Sequence, residues 1–353
     1  MRDSDSISLP GDELPHLWQK PAYPVLFDCL KRLYLEPRVW NLDVPRKDIL
    51  KEQAAAAAAH NRREVISFLS SVIKSSLAWL GTDDEREVIW DEASKRMSER
   101  CGRTAMGEIT RRWPFESPDY DPFSLTIREP PLTGDALGLK TWGSSYALAQ
   151  LLHEFAAGPL AHLFQPGAIS TPEEVLELGS GTGLLGLAAA CIWKASVVLT
   201  DLPTIMPNLA HNVSANRQVV ESHGGRADAA PLTWGGPRKD IDPRFHTPNR
   251  YQLIIVADPL YDDDHPALLA SAIDEQLSLS PEARVLAMVP QRDEITKGLL
   301  AVLQDELARR PNPLRCLQES MVAGQDDWGD DNDDDDETRH VGFWWGIFGR
   351  DGR

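Results

Sequence analysis

The sequence has few cysteines and no long apolar run, and both absences limit the class of protein. Its four cysteines, Cys29, Cys101, Cys191 and Cys316, lie far apart, so no two have the spacing of zinc ligands or of a disulfide framework. No apolar run approaches the roughly 18 residues that a membrane span requires. Residues 1–6 do not resemble a secretion signal. We therefore expect a cytoplasmic protein in a reducing compartment, without a membrane span or a metal site.

Basic residues are also scarce. The chain has 36 lysines and arginines against 54 acidic residues, which gives a formal net charge of −18. Residues 326–337 contain nine acidic residues and no basic one, which is half of that net charge. Blocks of like charge are usually solvated loops. Because no basic stripe is present to neutralise phosphates, we expect no stable nucleic-acid binding and an attraction to basic protein partners.

The residues before about position 130 predict a helical N-terminal extension. Residues 1–47 are rich in proline and are expected to be irregular with aromatic anchors. A long helix is predicted over 48–80, because six consecutive alanines are followed by apolar residues at helical spacing. Thr82 and Glu85 have the spacing of a capping box for a second helix, which ends near Arg100. The polar, Pro-rich residues 114–134 indicate a boundary, so the extension covers 1–130 and is expected to cover the catalytic domain or to hold a substrate.

Residues 135–353 have the pattern of a doubly wound α/β domain, in which strands alternate with helices. The predicted strands are 174–178, 196–201, 226–232, 251–258, 284–289, 315–322 and 341–348. The last two flank the acidic loop 326–337 and are expected to form an antiparallel hairpin. The pattern predicts a Rossmann-like, seven-stranded, mostly parallel sheet.

A glycine-rich turn follows the first of these strands and opens a helix. Gly179, Gly181 and Gly183 alternate with other residues, and glycines let the backbone turn tightly and approach a ligand. In doubly wound sheets, ligands bind outside the carboxyl ends of the strands. Asp201 ends the next strand, 22 residues after Gly179, where a carboxylate can accept both hydroxyls of a ribose. Glu177 can hold the ammonium group of a methionyl moiety, directly or through water.

The same turn also satisfies the G-x-G-x-x-G pattern of dinucleotide-binding loops, over residues 181–186. That pattern does not require an acid such as Glu177 at the strand end, and the chain lacks a region resembling a dehydrogenase substrate domain. A third interpretation is a glycine turn that binds no ligand. We favour a methyl donor, S-adenosylmethionine, over a nicotinamide cofactor.

Five sequence elements in a fixed order resemble one family. They are LKTWGSS at 139–145, the glycine turn, LTDLP at 199–203, LTWG at 232–235 and ADPLY at 257–261. Together they look like the seven-β-strand lysine methyltransferase family often called methyltransferase family 16, over about residues 135–350. The helical, Pro-rich extension makes the chain most similar to the fungal branch that modifies translation elongation factors, with elongation factor 2 favoured as substrate.

The resemblance implies roles for several residues around the cofactor. Trp142 would close over it, Trp234 would lie beside the adenine, and Ala257 would lie against it at the end of the fourth strand. The three glycines would form the cofactor loop, and Asp201 would bind the ribose. Each tryptophan also has a purely structural interpretation as a core anchor.

The resemblance also implies the acceptor chemistry, because Asp258 and Tyr261 match the family's Asp-x-x-Tyr signature at the methyl-transfer site. A lysine nucleophile must be neutral, although its free pKa is about 10.4, and desolvation beside a sulfonium lowers that pKa. Asp258 then needs only to orient the amine, and Tyr261 to form a wall of the lysine channel. Both residues also have a purely structural interpretation. Asp258 can cap the turn that follows it, and Tyr261 can be an ordinary core residue.

Two other functions stay open at this point. The run Asp258-Pro-Leu-Tyr261 also resembles the Asp-Pro-Pro-Tyr signature of enzymes that methylate planar nitrogens, although Leu260 replaces the second proline. The alternatives are therefore a methyltransferase for another nitrogen acceptor, such as glutamine, a base or a small molecule, and a non-catalytic interaction module. We expect a monomeric protein-lysine N-methyltransferase whose protein substrate is a translation factor.

Overall fold

The computed structural model describes residues 14–35, 63–100, 107–131, 137–164, 174–324 and 341–350. The described residues form two compact units, of which the first ends at Ile109 and the second begins at Thr110. Within these ranges, no helix combines the length and the apolar character that crossing a membrane requires. The predicted acidic loop at 326–337 and the run of alanines lie outside the described residues.

The first unit is helical, as predicted. Its helices are α1 (Tyr23–Arg32), α2 (Arg63–Lys74) and α3 (Asp83–Ser98), with a short 3₁₀ turn at Leu17–Gln19. The predicted capping box is confirmed at the start of α3. Thr82 Oγ1 accepts a hydrogen bond from Glu85 N at 3.1 Å, and Glu85 Oε2 accepts one from Thr82 N at 3.3 Å. An apolar core holds the three helices together.

Two predictions for this unit are wrong in detail. The irregular segment 1–47 contains helix α1, because Pro24 is tolerated in a first helical turn and the apolar residues that follow have helical spacing. The long helix ends at Lys74 rather than at residue 80. There, Ser75 Oγ accepts a hydrogen bond from Leu77 N at 3.2 Å, and Leu77, at φ +48°, is fully buried. Serine competes in this way with the helical hydrogen bonds.

Much of the Pro-rich segment 114–134, predicted to be an irregular boundary, instead belongs to a β-hairpin. Strand β1 (Ile109–Ser117) pairs with strand β2 (Tyr120–Glu129), and from Thr110 onward the hairpin belongs to the second unit. Every second residue of β1 is buried, including Trp113 and Phe115, which is the period of a half-buried strand. The prolines concealed this alternation, because they are typical of irregular segments. Proline is tolerated here because both strands of a two-stranded sheet are edge strands.

The main sheet of the second unit confirms the predicted α/β fold. Its strands are β3 (Val175–Leu178), β4 (Ser196–Asp201), β5 (Arg226–Pro231), β6 (Leu253–Ala257), β7 (Arg284–Pro290), β8 (Arg315–Gly324) and β9 (Val341–Gly349). Their order is β5-β4-β3-β6-β7-β9-β8, with β3 to β7 parallel and β9 antiparallel to both of its neighbours. The order reverses at β3, so its carboxyl end lies at the switch point where such sheets bind ligands.

Helices cover both faces of this sheet. They are α4 (Gly143–Ala157), α5 (Leu184–Trp193), α6 (Met206–Ser222), α7 (His265–Gln276) and α8 (Glu294–Arg309), with 3₁₀ turns at Leu137–Leu139, Ala161–Leu163, Arg238–Asp240 and Pro243–His246. One apolar core joins α4, α5, α6 and the hairpin to one face, and a second joins α7 and α8 to the other. The carboxyl edge of the sheet is thereby held between two packed layers.

Asparagines of α6 replace a missing strand partner along β2. Asn216 Oδ1 accepts from Thr126 N and Asn216 Nδ2 donates to Thr126 O, both at 2.8 Å. One helical turn earlier, Asn212 Oδ1 accepts from Arg128 N at 2.9 Å, and Asn212 Nδ2 donates to Arg128 O at 3.0 Å. Asn212 Nδ2 also donates to Thr182 O in the glycine turn at 2.9 Å. This asparagine ladder satisfies backbone groups that would otherwise be buried without partners.

We predict that Asn212→Ala lowers the free energy of unfolding by about 2 kcal/mol or more, because buried backbone groups lose their hydrogen bonds. Chemical denaturation measures this change. Gln218→Ala is the matched control, since it removes an exposed amide from the same helix and should change stability by less than about 0.5 kcal/mol. Equal losses in the two variants would contradict the ladder.

Candidate functional site

The glycine turn between β3 and α5 has a backbone that favours glycine at each predicted position. Gly179, Gly181 and Gly183 have φ of +68°, +56° and +89°. A Cβ on Gly181 would lie 3.3 Å from the carbonyl oxygen of Gly138, and one on Gly179 would lie 3.3 Å from Cζ2 of Trp234. Larger side chains would therefore be strained here and would also crowd the surface of the turn.

Hydrogen bonds join the glycine turn to the neighbouring strand β4. Ser180 N donates to Thr200 O and Thr200 N donates to Ser180 Oγ, both at 2.9 Å. Directly beyond, Asp201 Oδ2 accepts from Gly181 N and Asp201 Oδ1 accepts from Leu202 N, both at 2.7 Å. Each oxygen of an ionised carboxylate can accept more than one hydrogen bond. Asp201 is thus held rigidly with acceptor capacity left for a ligand.

Glu177 lies deeper than Asp201. It is only 2% exposed, and Oε2 has no hydrogen-bond partner among the described residues. Burial raises its pKa to about 8, with Asp201 adding to the rise, while the Ser180 hydroxyl and the Gly186 amide oppose it. Desolvation likewise raises the pKa of Asp201 to about 6. The two acids make this end of the site receptive to a positively charged group.

The predicted aromatic residues lie on two sides of the site. Trp142 precedes the first residue of α4, and its indole Nε1 donates to Leu137 O at 3.0 Å. Its ring centroid lies 5.8 Å from that of Tyr261. Trp234 instead packs its ring edge toward Gly179. Ala257, 8% exposed, is the last residue of β6 and is directly followed by the acceptor motif.

Asp258 lies in a polar cluster that sequence reasoning missed. It has φ +53°, a left-handed conformation that aspartate tolerates, and its backbone N donates to Met288 O at 2.9 Å. The residue as a whole is 4% exposed. Oδ1 accepts from Arg292 Nη1 at 3.1 Å, and Oδ2 accepts from Arg292 Nη2 at 2.5 Å and from Ser144 Oγ at 3.2 Å. The guanidinium also lies 5.2 Å from the ring centroid of Trp142.

A second missed residue, His265, adjoins both aromatic sides. Its Nδ1 accepts a hydrogen bond from Tyr261 N at 3.1 Å, and its ring centroid lies 6.3 Å from that of Tyr261 and 6.4 Å from that of Trp234. One signal was available for Arg292, which comes two residues after β7 and therefore at the same edge of the sheet. Nothing in the sequence distinguished His265 or Ser144.

The structure brings the predicted residues together in two groups along one edge of the sheet. The glycine turn, Asp201 and Trp234 form the first group, and Trp142, Asp258 and Tyr261 form the second, with Glu177 buried behind the turn and Ala257 on the strand between them. Among the residues that the structure describes, no cluster of histidine, cysteine and carboxylate side chains has the geometry of a metal site. The arrangement suits a ligand that spans both groups.

The raised pKa of Glu177 predicts a pH-dependent stability for the cofactor-free protein. The unfolded chain loses this proton near pH 4.5 and the folded chain near pH 8, so the favourable contribution present at low pH is lost as the pH rises between these values. We expect Glu177→Gln to raise the melting temperature more at pH 8 than at pH 5. Glu221→Gln, which alters an exposed carboxylate, should show no such trend. A pH-independent effect of Glu177→Gln would refute the assignment.

Comparisons with known proteins agree with this geometry. A family model described as lysine methyltransferase matches residues 120–306. The chain is 32% identical over 277 residues to protein-lysine N-methyltransferase EFM2 of Saccharomyces cerevisiae, covering 75% of this chain and 62% of that protein. It is 27% identical over 285 residues to protein-lysine N-methyltransferase rrg1 of Schizosaccharomyces pombe, covering 81% and 84%.

A third relative matches a shorter segment. EEF1A lysine methyltransferase 3 of Mus musculus is 37% identical over 100 residues, which is 28% of this chain and 38% of that protein. The chain thus spans less than two thirds of EFM2 and most of rrg1. The family model covers more than half of the 353 residues, including the glycine turn, Asp201, Asp258 and Tyr261. This chain belongs to the lysine methyltransferase family.

Proposed function

We propose that this chain is an S-adenosylmethionine-dependent protein-lysine N-methyltransferase that acts on a translation elongation factor. The observation that carries the proposal is the single edge of the sheet on which the glycine turn, with Asp201, meets the pair Asp258 and Tyr261. A cofactor site and an acceptor site must adjoin for direct methyl transfer, because the reacting atoms have to be held in line.

The residues of the first group fit S-adenosylmethionine. The remaining acceptor capacity of Asp201 suits the two ribose hydroxyls, and the ring of Trp234 offers a flat surface beside the glycine turn for the adenine. The unpartnered Oε2 of Glu177 suits the ammonium group, directly or through water. When bound, the cofactor supplies an electrophilic methyl group on a cationic sulfur.

The residues of the second group suit a lysine side chain. Asp258 is fixed by its backbone bond and by Arg292 and Ser144, so a carboxylate oxygen can accept an N–H of the amine in a defined direction. The rings of Trp142 and Tyr261 contact each other, with centroids 5.8 Å apart, and together offer an aromatic wall against which a long aliphatic chain can pack. Aromatic faces also attract the methylated, cationic product. The protein therefore contributes orientation and desolvation rather than a strong base.

Elongation factor 2 is the substrate that we favour. The fungal branch that the chain resembles modifies translation elongation factors, two of the similar proteins described above are fungal protein-lysine N-methyltransferases, and the mouse relative is named as a lysine methyltransferase of EEF1A. The net charge of −18 favours a basic segment around the target lysine. We propose that the chain acts as a monomer in the cytoplasm, where these factors function, and that the helical N-terminal extension contributes to substrate recognition.

The proposed function predicts methyl-lysine as the product. Purified elongation factor 2 is incubated with the enzyme and labelled S-adenosylmethionine, and the product is hydrolysed and mapped by mass spectrometry. We expect Asp258→Ala to lower turnover about 100-fold or more, because the amine loses its orienting partner, while cofactor affinity stays within a few-fold of wild type. Asp305→Ala, at an exposed position of α8, is the control and should be fully active.

Three outcomes would contradict this proposal. Methyl groups on glutamine, on a nucleic acid or on a small molecule would identify another acceptor. Full activity of Asp258→Ala would remove Asp258 from the site. Failure to bind S-adenosylmethionine in calorimetry would favour a non-catalytic interaction module.

The cofactor assignment has its own test. Asp201→Asn should weaken S-adenosylmethionine binding about 10- to 100-fold, since hydrogen bonds to a charged group are lost. Isothermal titration calorimetry measures the affinity, with Asp305→Asn as the matched exposed control. An unchanged affinity would exclude Asp201 from the ribose site.

A further inference from the structure

The ion pair between Asp258 and Arg292 is an unexpected feature of the proposed acceptor site. Two separate hydrogen bonds, of 3.1 and 2.5 Å, join the guanidinium to the two carboxylate oxygens. The side chain of Arg292 is 11% exposed and that of Asp258 is 2% exposed. A bidentate pair held this far from water is rigid and strongly oriented.

Each partner of this pair is placed by a different strand. Asp258 follows β6 and Arg292 follows β7, and these two strands are parallel neighbours. Arg292 also lies above the ring of Trp142, at 5.2 Å, and Lys140 Nζ lies 4.5 Å from the centroid of the same ring. The acceptor carboxylate is therefore paired with a guanidinium rather than left as an isolated negative charge.

An isolated carboxylate would hinder the proposed reaction. A negative charge beside a lysine favours its ammonium form, and shifts of about 1 to 3 pH units are typical of close opposite charges. An ammonium has no lone pair with which to attack a methyl group. A carboxylate that is already paired with a guanidinium still accepts a hydrogen bond, but its net attraction for a proton on the lysine is much smaller.

We infer that Arg292 is a positioning residue that neutralises Asp258, so that the target lysine is held by a hydrogen bond without being kept protonated. The inference rests on the proposed function, because it assigns the reacting group as a lysine. It deepens that function by explaining how one carboxylate orients the amine without trapping it as a cation.

Other charged or titratable groups contact the ring of Trp142, on which Arg292 lies, or lie one contact further away. Lys140, before α4, lies against that ring, Tyr261 contacts it, and His265 accepts from Tyr261 N. The carboxylate of Asp293, next to Arg292, instead accepts from the backbone N and the hydroxyl of Thr296 and caps α8. All of these groups are unchanged in the variants below, so they act equally in every pH profile.

The test is the pH dependence of turnover at saturating cofactor and elongation factor 2. Turnover should rise with pH as the target lysine loses its proton. Arg292→Gln leaves the negative charge in excess, so this rising limb of the pH profile should move to higher pH by about 1 unit or more. Asp258→Asn leaves the positive charge in excess, so its limb should move downward despite the slower reaction. Arg292→Lys keeps the cation and should keep the limb near its wild-type position, at reduced turnover. Arg309→Gln, at an exposed position of α8, should match the wild type.

A merely structural role would lower turnover without moving the limb. The inference is overturned if Arg292→Gln and Asp258→Asn both retain the wild-type limb, and calorimetry with S-adenosylmethionine shows that each variant is folded. If Arg292→Gln fails to bind the cofactor, the inference is tested by Asp258→Asn alone, and an unshifted rising limb in that variant overturns it. Absence of lysine methylation by the wild type would instead defeat the proposed function, so the two failures are distinguishable.

Discussion

The parallel pairing of β3 with β4 and β6 is the constraint on which the rest of the second unit depends. It aligns Val175 with Val197 and with Leu253, so the three strands end side by side. The glycine turn, Asp201 and Asp258 are the residues that follow or end those strands. Groups far apart in the chain therefore converge because their strands share one edge, and not because of any local attraction between them.

Electrostatics differ between the two ends of this edge. At the cofactor end, Glu177 and Asp201 are desolvated and lack a cationic partner among the described residues, so burial raises the pKa of both. At the acceptor end, Asp258 is buried to a similar extent as Glu177 but is compensated by Arg292. An uncompensated acid suits a cationic ligand, whereas a compensated acid suits a neutral nucleophile. Neighbouring residues thus adapt a carboxylate either to bind a cation or to orient a neutral amine.

The β-hairpin contributes to the site without supplying a reacting group. Asn212 connects the backbone of Arg128 in β2 to the carbonyl of Thr182 in the glycine turn. Thr182 is also held from the other side, through a 2.8 Å hydrogen bond between its hydroxyl and that of Thr141. The turn is consequently held from β4, from α6 and from the segment before α4. Such support keeps a binding loop in place before the ligand arrives.

The sequence by itself determined the strands of the main sheet, the glycine turn and the acid at the end of β4. These features follow from local rules: apolar runs of strand length, positive φ at glycine, and the capping box at Thr82. Local rules failed where distant residues decide the outcome. Prolines concealed the strands of the hairpin, whose apolar side packs on helices that come later in the chain. The helix before Leu77 ends at Lys74, and Leu77 is buried in the core of the first unit.

Only the tertiary structure decided what surrounds each site residue. Arg292 is separated from Asp258 by 34 positions, and Ser144 by 114, so neither partnership leaves a pattern in the chain. In the sequence, the asparagines of α6 resemble ordinary polar residues of an exposed helix. Only the tertiary structure shows that they bond to the backbone of β2. Side-chain partners depend on which strand ends become neighbours, and that is settled by the packing of the whole sheet rather than by any local segment.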